Sequence, residues 1–369
     1  MTNFQLRIER LNKLIQTNAC DAYIIEDPIS LYYLTGIEIS TGRLIVHSGG
    51  AHLFVDSRYI EVCKKMSPFP VILSDNGLPL SDIFSKLEMK SCQCIGFSSD
   101  NTTYARFLHL TTAVDKYNAR AEKHLRLKGI DNLVSQLRQV KDVREIALLK
   151  DAAKLGSEGF DFVCSILKEG ITEIETAVEL EIFWKRKGGK ALAFDPIIAF
   201  GSNSSMPHYR AGDRKLQKGD TVLIDIGVNY AHYHSDMTRV VYFGEPNPKI
   251  LEIHEIVLEA QARALNLCKP HTRIGDLDSA ARGFIAEKGY GEHFMHGLGH
   301  GVGLEIHEAP SIRNQPHLAD LALEEGMVIT IEPGIYLSLV GGVRIEDTVV
   351  ITANGHENLT NRPKEPLII

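Results

Sequence analysis

The 369-residue chain is short of the features that would mark several common classes of protein. Cysteine is sparse: Cys20, Cys63, Cys92, Cys94, Cys164 and Cys268 are scattered, and no C-x-x-C occurs. That pattern indicates neither a zinc knuckle nor a thioredoxin-type motif, and it is too thin for a disulfide-stapled scaffold. The cysteines are read as reduced thiols, which makes a cytoplasmic protein the expectation. No apolar run approaches the ~18 residues of a membrane-spanning helix. The opening residues, Met1 to Arg10, are mixed and charged with no apolar core, so no secretory signal is expected. A basic excess is missing as well. Lys+Arg number 40 against 47 Asp+Glu, a net charge of −7, which disfavours nucleic acid as a partner. No tandem repeat of about 20–50 residues is visible.

What is present is ordinary globular composition, 44% hydrophobic and 24% charged, and length enough for two domains at ~150 residues each. Residues 1–125 alternate helical patterns with short apolar runs and read as an α/β domain. Leu6, Ile8, Leu11, Leu14 and Ile15 have near-helical spacing. Residues 22–25, 68–73 and 94–97 read as strands, and Ser48-Gly-Gly50 as the turn of a hairpin. Residues 126–369 read as an α+β domain. Its first part, to about 168, is helical by its apolar stripes. Thr172 is a plausible N-cap for the next helix. Strands are expected over 221–227, 238–243, 328–331 and 343–351, and helices over 246–267 and 276–288.

The chemistry lies in acids that interrupt apolar strands. Asp225 stands in Thr-Val-Leu-Ile-Asp-Ile-Gly, and Asp236 follows eleven residues later, within reach if the chain turns back at 228–233. Glu332 stands in Val-Ile-Thr-Ile-Glu-Pro-Gly, and Glu346 in Gly-Gly-Val-Arg-Ile-Glu-Asp. A buried carboxylate is costly unless paired or bound to metal. Four converging carboxylates would repel and raise one another's pKa, and two divalent cations would neutralise them. A carboxylate-rich set suits hard metals such as Mn²⁺. His296-Gly-Leu-Gly-His300-Gly-Val-Gly-Leu-Glu-Ile-His307 adds three imidazoles. Its glycines are expected to let the backbone approach a bound group closely. Neither the phosphate-loop pattern nor G-x-G-x-x-G fits this stretch.

The ordered set Asp225, Asp236, His300, Glu332 and Glu346 resembles the five-ligand dinuclear site of the pita-bread metallopeptidases, which include methionine aminopeptidase, aminopeptidase P and prolidase. The surrounding words are similar too: Met-Pro-His208, Ser-Asp236-Met-Thr-Arg, Ile-Glu332-Pro-Gly-Ile-Tyr336 and Val-Arg344-Ile-Glu346-Asp. Tyr33-Leu-Thr-Gly36 and Phe54-Val-Asp-Ser-Arg58 resemble the amino-terminal domain of the creatinase, prolidase and aminopeptidase P branch. The resemblance implies an α/β amino-terminal domain followed by an α+β pita-bread catalytic domain. It implies two divalent ions, Mn²⁺ first, with Co²⁺ or Zn²⁺ as alternatives. Asp225 would chelate one ion, His300 and Glu332 the other, and Asp236 and Glu346 would bridge both. Glu332 would also take the proton of the attacking water. His208, His296 and His307 would contact the substrate. Arg344 and Tyr336 would hold the ligand carboxylates. The resemblance also implies proline-containing peptides as substrates and makes a homodimer plausible.

A bond to proline is a tertiary amide without an N–H, so it needs a dedicated site. Aminopeptidase P, which removes Xaa from longer Xaa-Pro peptides, is the favoured expectation. Prolidase, which acts on Xaa-Pro dipeptides, is the alternative. The difference would rest on a cation that closes the site around the product-side carboxylate. Arg313, six residues after His307, is a candidate for that role. A non-peptidase hydrolase or binding protein on the same fold is the remote third reading.

Overall fold

The apolar runs of the first third pair into one mixed sheet. In this computed structural model its strands lie in the order Val71–Leu73, Gly50–Val55, Arg43–His47, Ala22–Ile25, Cys94–Ser98 and Arg126–Ile130. The structure describes all residues except 1, 2, 75–78, 88–91, 123 and 317. Arg43–His47 and Gly50–Val55 form the expected hairpin, with Gly50 at φ +121, a value that favours glycine. Ala22–Ile25 is buried along its whole length because it sits mid-sheet, next to Arg43–His47 on one side and Cys94–Ser98 on the other. The helix Asn3–Thr17 buries Ile8, Leu11 and Ile15, the inward stripe of the periodic pattern.

The chain divides into compact units at Met1–Arg138 and Gln139–Ile369. The sequence reading placed 126–138 at the helical start of the second domain. Instead, Arg126–Ile130 extends the first sheet by parallel pairing with Cys94–Ser98. A charged edge strand of this kind has no alternating pattern to reveal it.

The second unit is built from sheets backed by four helices of 14 or more residues: Val143–Ile166, Glu173–Arg186, Pro248–Leu265 and Ile274–Glu287. Thr172 caps the second of these in a reciprocal capping box with Glu175, as its position before the apolar stripe predicted. One sheet orders Leu367–Ile368, Met237–Phe243, Asp220–Ile226 and Ile197–Phe200. Another orders Glu308–Ile312, Gly299–Gly301, Val328–Ile331, Asp347–Thr352 and Gly355–Asn358. A large apolar core, including Leu223, Val240, Ile253, Val257, Ile329 and Val349, binds helices to sheets. Among the described residues, no helix is long and apolar enough to cross a membrane.

Candidate metal centre

Strand ends bring the acids together. Asp220–Ile226 pairs antiparallel with Met237–Phe243, with Asp225 opposite Thr238 and Ile226 opposite Met237. Asp236 therefore stands one step past the end of that ladder, beside Asp225. The expected return at 228–233 is present as two short strands, Val228–Tyr230 and Tyr233–His234.

The run 343–351 is not one strand. Gly341–Arg344 pairs with Gly334–Leu337, and Asp347–Thr352 pairs with Val328–Ile331. The chain changes partners at Ile345 and Glu346. Since Ile331 faces Asp347, the next step places Glu332 against Glu346. Continuous apolar character hid this joint, because both halves are buried.

Asp225, Asp236 and Glu346 are buried, and Glu332 is half-buried. Among the described residues, Asp236, His300 and Glu346 form the group whose ligand atoms all lie within 4.8 Å of one another. Glu332 Oε1 and Asp236 Oδ2 each lie 3.6 Å from His300 Nε2. Asp225 accepts a hydrogen bond on Oδ2 from Arg344. Burial and then mutual repulsion raise three of the carboxyls, those of Asp236, Glu332 and Glu346. Asp236 goes well above the usual range, chiefly through burial and Glu346, and Glu332 does so for the same two reasons. Glu346 is pushed up to about 8 by burial and Asp225, although Thr238 Oγ1 donates to it at 2.8 Å.

This set fits divalent metal. It offers hard oxygen donors whose charge exceeds what Arg344 can balance. It also offers an imidazole in the right state. His300 Nδ1 lies 3.1 Å from the Gly301 carbonyl, so the proton belongs on Nδ1 and the Nε2 lone pair faces the acids. Burial, then His307, lowers the His300 pKa to about 4, which keeps the ring neutral. The flanking glycines serve a different purpose from the one expected. A Cβ on Gly299 would lie 2.0 Å from the Thr330 carbonyl oxygen, and one on Gly301 2.3 Å from that of Ala309. The close approach is to neighbouring strands, which seats His300 between them.

The other expected residues gather around the acids. Arg344 Nη1 donates to the Tyr336 hydroxyl at 2.6 Å, and that hydroxyl lies 2.9 Å from His296 Nε2. His296 Nδ1 lies 2.8 Å from the Gly297 carbonyl, so it is the N–H, and Tyr336 donates to Nε2. Burial, then Arg344, lowers the His296 pKa to about 4. Both its nitrogens are thus engaged. The His307 ring meets that of His300 edge-on, with centroids 4.4 Å apart, and His307 is exposed. His208 is exposed too. It is near enough to act electrostatically on both His296 and His307, and the carbonyl of the preceding Pro207 lies 3.5 Å from Arg344 Nη2. Arg313 is half-buried against the Gly297 backbone, where a Cβ would meet its Nε at 3.3 Å.

Sequence reasoning missed the brace beneath the centre. Arg239, fully buried, donates to Asp347 at 2.6 Å, to the Thr360 carbonyl at 2.8 Å and to the carbonyl of Glu346. Lys364 reaches Asp347 at 2.8 Å and Gln261 at 2.9 Å. Gln261 in turn donates to the carbonyls of Ile331 and Ile345, the residues just before Glu332 and Glu346. The Arg following Asp-Met-Thr was visible as a word, but its partners lie more than 100 residues away.

The fold and the clustered donors define a carboxylate-rich, metal-dependent hydrolase of pita-bread architecture. Comparison with known proteins makes this specific. Residues 147–353 match the model of metallopeptidase family M24, and residues 7–140 match the creatinase/prolidase N-terminal domain. The chain belongs to metallopeptidase family M24. It is 39% identical to the Xaa-Pro dipeptidase of Pyrococcus furiosus over 362 residues, 98% of this chain and 99% of the relative. The structure of an Xaa-Pro dipeptidase from Bacillus anthracis superimposes with a TM-score of 0.92 at 35% identity, covering 100% of both chains. That of an X-Pro aminopeptidase from Thermotoga maritima gives 0.87 at 36% identity, covering 98% of this chain and 100% of that one.

Proposed function

We propose that this metallopeptidase is an Xaa-Pro dipeptidase. The sequence reading favoured the aminopeptidase; the names of the relatives from Pyrococcus furiosus and Bacillus anthracis support the dipeptidase better. The observation that carries a peptidase mechanism is the approach of half-buried His300 and Glu332 to the buried acids Asp225, Asp236 and Glu346. These five are assigned as ligands of two divalent ions, with Mn²⁺ preferred because the donors are mostly carboxylate. When bound, such ions supply Lewis acidity, polarising the scissile carbonyl and acidifying water.

The residues do the rest. Glu332, half-buried at the edge of the acid set, takes the proton of the attacking water. Arg344 holds the Asp225 carboxylate in place and orients His296 through the Tyr336 hydroxyl. Since both nitrogens of His296 are occupied, the substrate-facing roles fall to His208 and His307. One binds the peptide carbonyl oxygen and the other orients the substrate or returns a proton to the leaving proline nitrogen. Arg313, held beside Gly297, is assigned to the substrate's terminal carboxylate, which a dipeptide presents next to the scissile bond. A homodimer and a cytoplasmic location accompany this reading; sedimentation and fractionation test them.

The deciding experiment is Mn²⁺-dependent hydrolysis of an Xaa-Pro dipeptide, an Xaa-Pro-Xaa tripeptide and an Xaa-Ala control. The dipeptide should be cut, the tripeptide little and the control not at all. Preference for the tripeptide would establish the aminopeptidase, the activity of the Thermotoga maritima neighbour. If no proline substrate is cut by metal-loaded protein, the peptidase assignment fails.

A further inference from the structure

Outside the acid centre lies a second buried carboxylate with an unusually complete set of partners. Glu173 is the first residue of the helix Glu173–Arg186 and is fully buried. Its Oε1 accepts from the Phe200 N–H at 2.8 Å and from Asn203 Nδ2 at 2.9 Å. Its Oε2 accepts from the Tyr209 hydroxyl at 2.7 Å and from the Gly212 N–H at 3.2 Å. The same Asn203 amide also reaches the Tyr209 hydroxyl, at 2.8 Å. Four donors from one segment thus close on one carboxylate. The segment leaves the strand Ile197–Phe200, passes through the short helix Gly201–Ser205 and turns at 206–209, where the Tyr209 N–H bonds to the Met206 carbonyl.

His208 lies inside that turn, immediately before Tyr209. It is exposed and is placed by anchors on either side: the Pro207 carbonyl on Arg344, and the Tyr209 hydroxyl on Glu173. A carboxylate can accept from all four donors at once. An amide cannot, because in either orientation its NH₂ would face a backbone N–H, that of Phe200 or of Gly212, which is unable to turn away. Burial, then the contact with Glu173, pushes the Tyr209 hydroxyl up to about 12, consistent with its role as a donor.

We propose that Glu173 is a positioning residue that sets His208 against the substrate through Tyr209. The proposal rests on the assignment of His208 to the peptidase site. It makes no claim on the metal ligands, so metal content should not change.

The test is a double-mutant cycle in the metal-loaded, full-length protein: E173Q, H208A and the pair, assayed on an Xaa-Pro dipeptide. E173Q should lower kcat/KM by about 10–100-fold, the usual effect of losing an outer-shell contact, with full metal content. The double variant should be no worse than H208A alone, because both changes remove the same contribution. Multiplying losses would overturn the proposal. Where E173Q does not fold, Y209F, which removes one donor of the four, carries the same cycle. The imidazole resonance of His208, assigned by its absence in H208A, gives a readout independent of activity. It should move or broaden in E173Q and Y209F, and an unmoved resonance in both would overturn the proposal. If H208A hydrolyses normally, the catalytic assignment of His208 fails while the resonance still decides the role of Glu173.

Discussion

Each unit of the molecule holds a cluster of charges, half-buried in the first and mostly buried in the second, and the two are made from the same kinds of side chain in opposite proportion. In the amino-terminal unit, Glu26 lies between Arg43, at 2.6 Å, and Arg106. Burial raises its pKa, but the two guanidiniums outweigh burial and the net direction is down. In the second unit, four carboxylates share Arg344, and Asp236, Glu332 and Glu346 all go up. A half-buried carboxylate that two guanidiniums hold ionised is already fully paired. Four carboxylates around one guanidinium are left with a negative surplus that asks for cations. The comparison turns the charge count into a functional signal.

The strongest test removes a carboxylate from the surplus set. Asp236→Asn and Glu346→Gln should each cost more than the ~10–100-fold of an outer-shell change and should lower the metal stoichiometry measured by elemental analysis. Full activity with full metal in either variant would refute the two-metal assignment. The metal-stripped variants should melt no lower than metal-stripped wild type, because neither amide has to be protonated in order to be buried among the remaining acids.

The next test sets the two clusters against each other through pH. In stripped protein the Glu346 carboxyl is raised from its ordinary 4.5 to about 8. The folded state then holds a proton that the unfolded state releases, so the second unit should lose stability as pH rises from about 4.5 to about 8. The lowered Glu26 works the other way. Its contribution is present above 4.5 and is lost as pH falls through the lower folded value. Melting curves of chelator-treated protein should show the second unit losing stability between about pH 4.5 and 8, and the Glu26 contribution to the amino-terminal unit falling away only below 4.5. A stripped second unit that is most stable near pH 8 would break the contrast.

Smaller effects sharpen it. His307→Ala should impair turnover with metal retained; loss of metal would mean that His307 is a ligand. Tyr336→Phe should cut turnover about tenfold, the low end for a lost outer-shell hydrogen bond, again with metal retained. Glu26→Gln should leave turnover unchanged and cost the amino-terminal unit about 1–3 kcal/mol, between the limits for exposed and buried pairs. A drop in metal content there would contradict the division into a structural and a binding cluster.

The candidate ligands were legible because an acid inside an apolar strand is anomalous at short range. Asp225 needs only its own neighbours, Ile224 and Ile226, to stand out. The residues that brace them do not have this property. Arg239 near the start of a strand, Gln261 on a helix and Lys364 look like ordinary surface polarity until the fold brings them together. Glu173 likewise reads as a favourable acid in the first turn of a helix, although its partners lie 27 to 39 residues away. The partner change at Ile345–Glu346 was hidden for the converse reason: burial on both sides of the joint leaves no polar mark. Helices and hairpins followed from periodicity and capping, whereas the parallel edge strand Arg126–Ile130 depends on a partner that its own residues do not specify.

The brace also carries an order in time. A ribosome makes every one of the five candidate ligands before it makes Thr360, Arg362 and Pro363, whose carbonyls receive the Arg239 guanidinium. Until those residues emerge, the buried guanidinium beneath the acids lacks these three acceptors. The nascent chain can hold all its ligands and still lack a rigid cage, so hydrolytic competence should wait until residues 360–363 dock behind the strands.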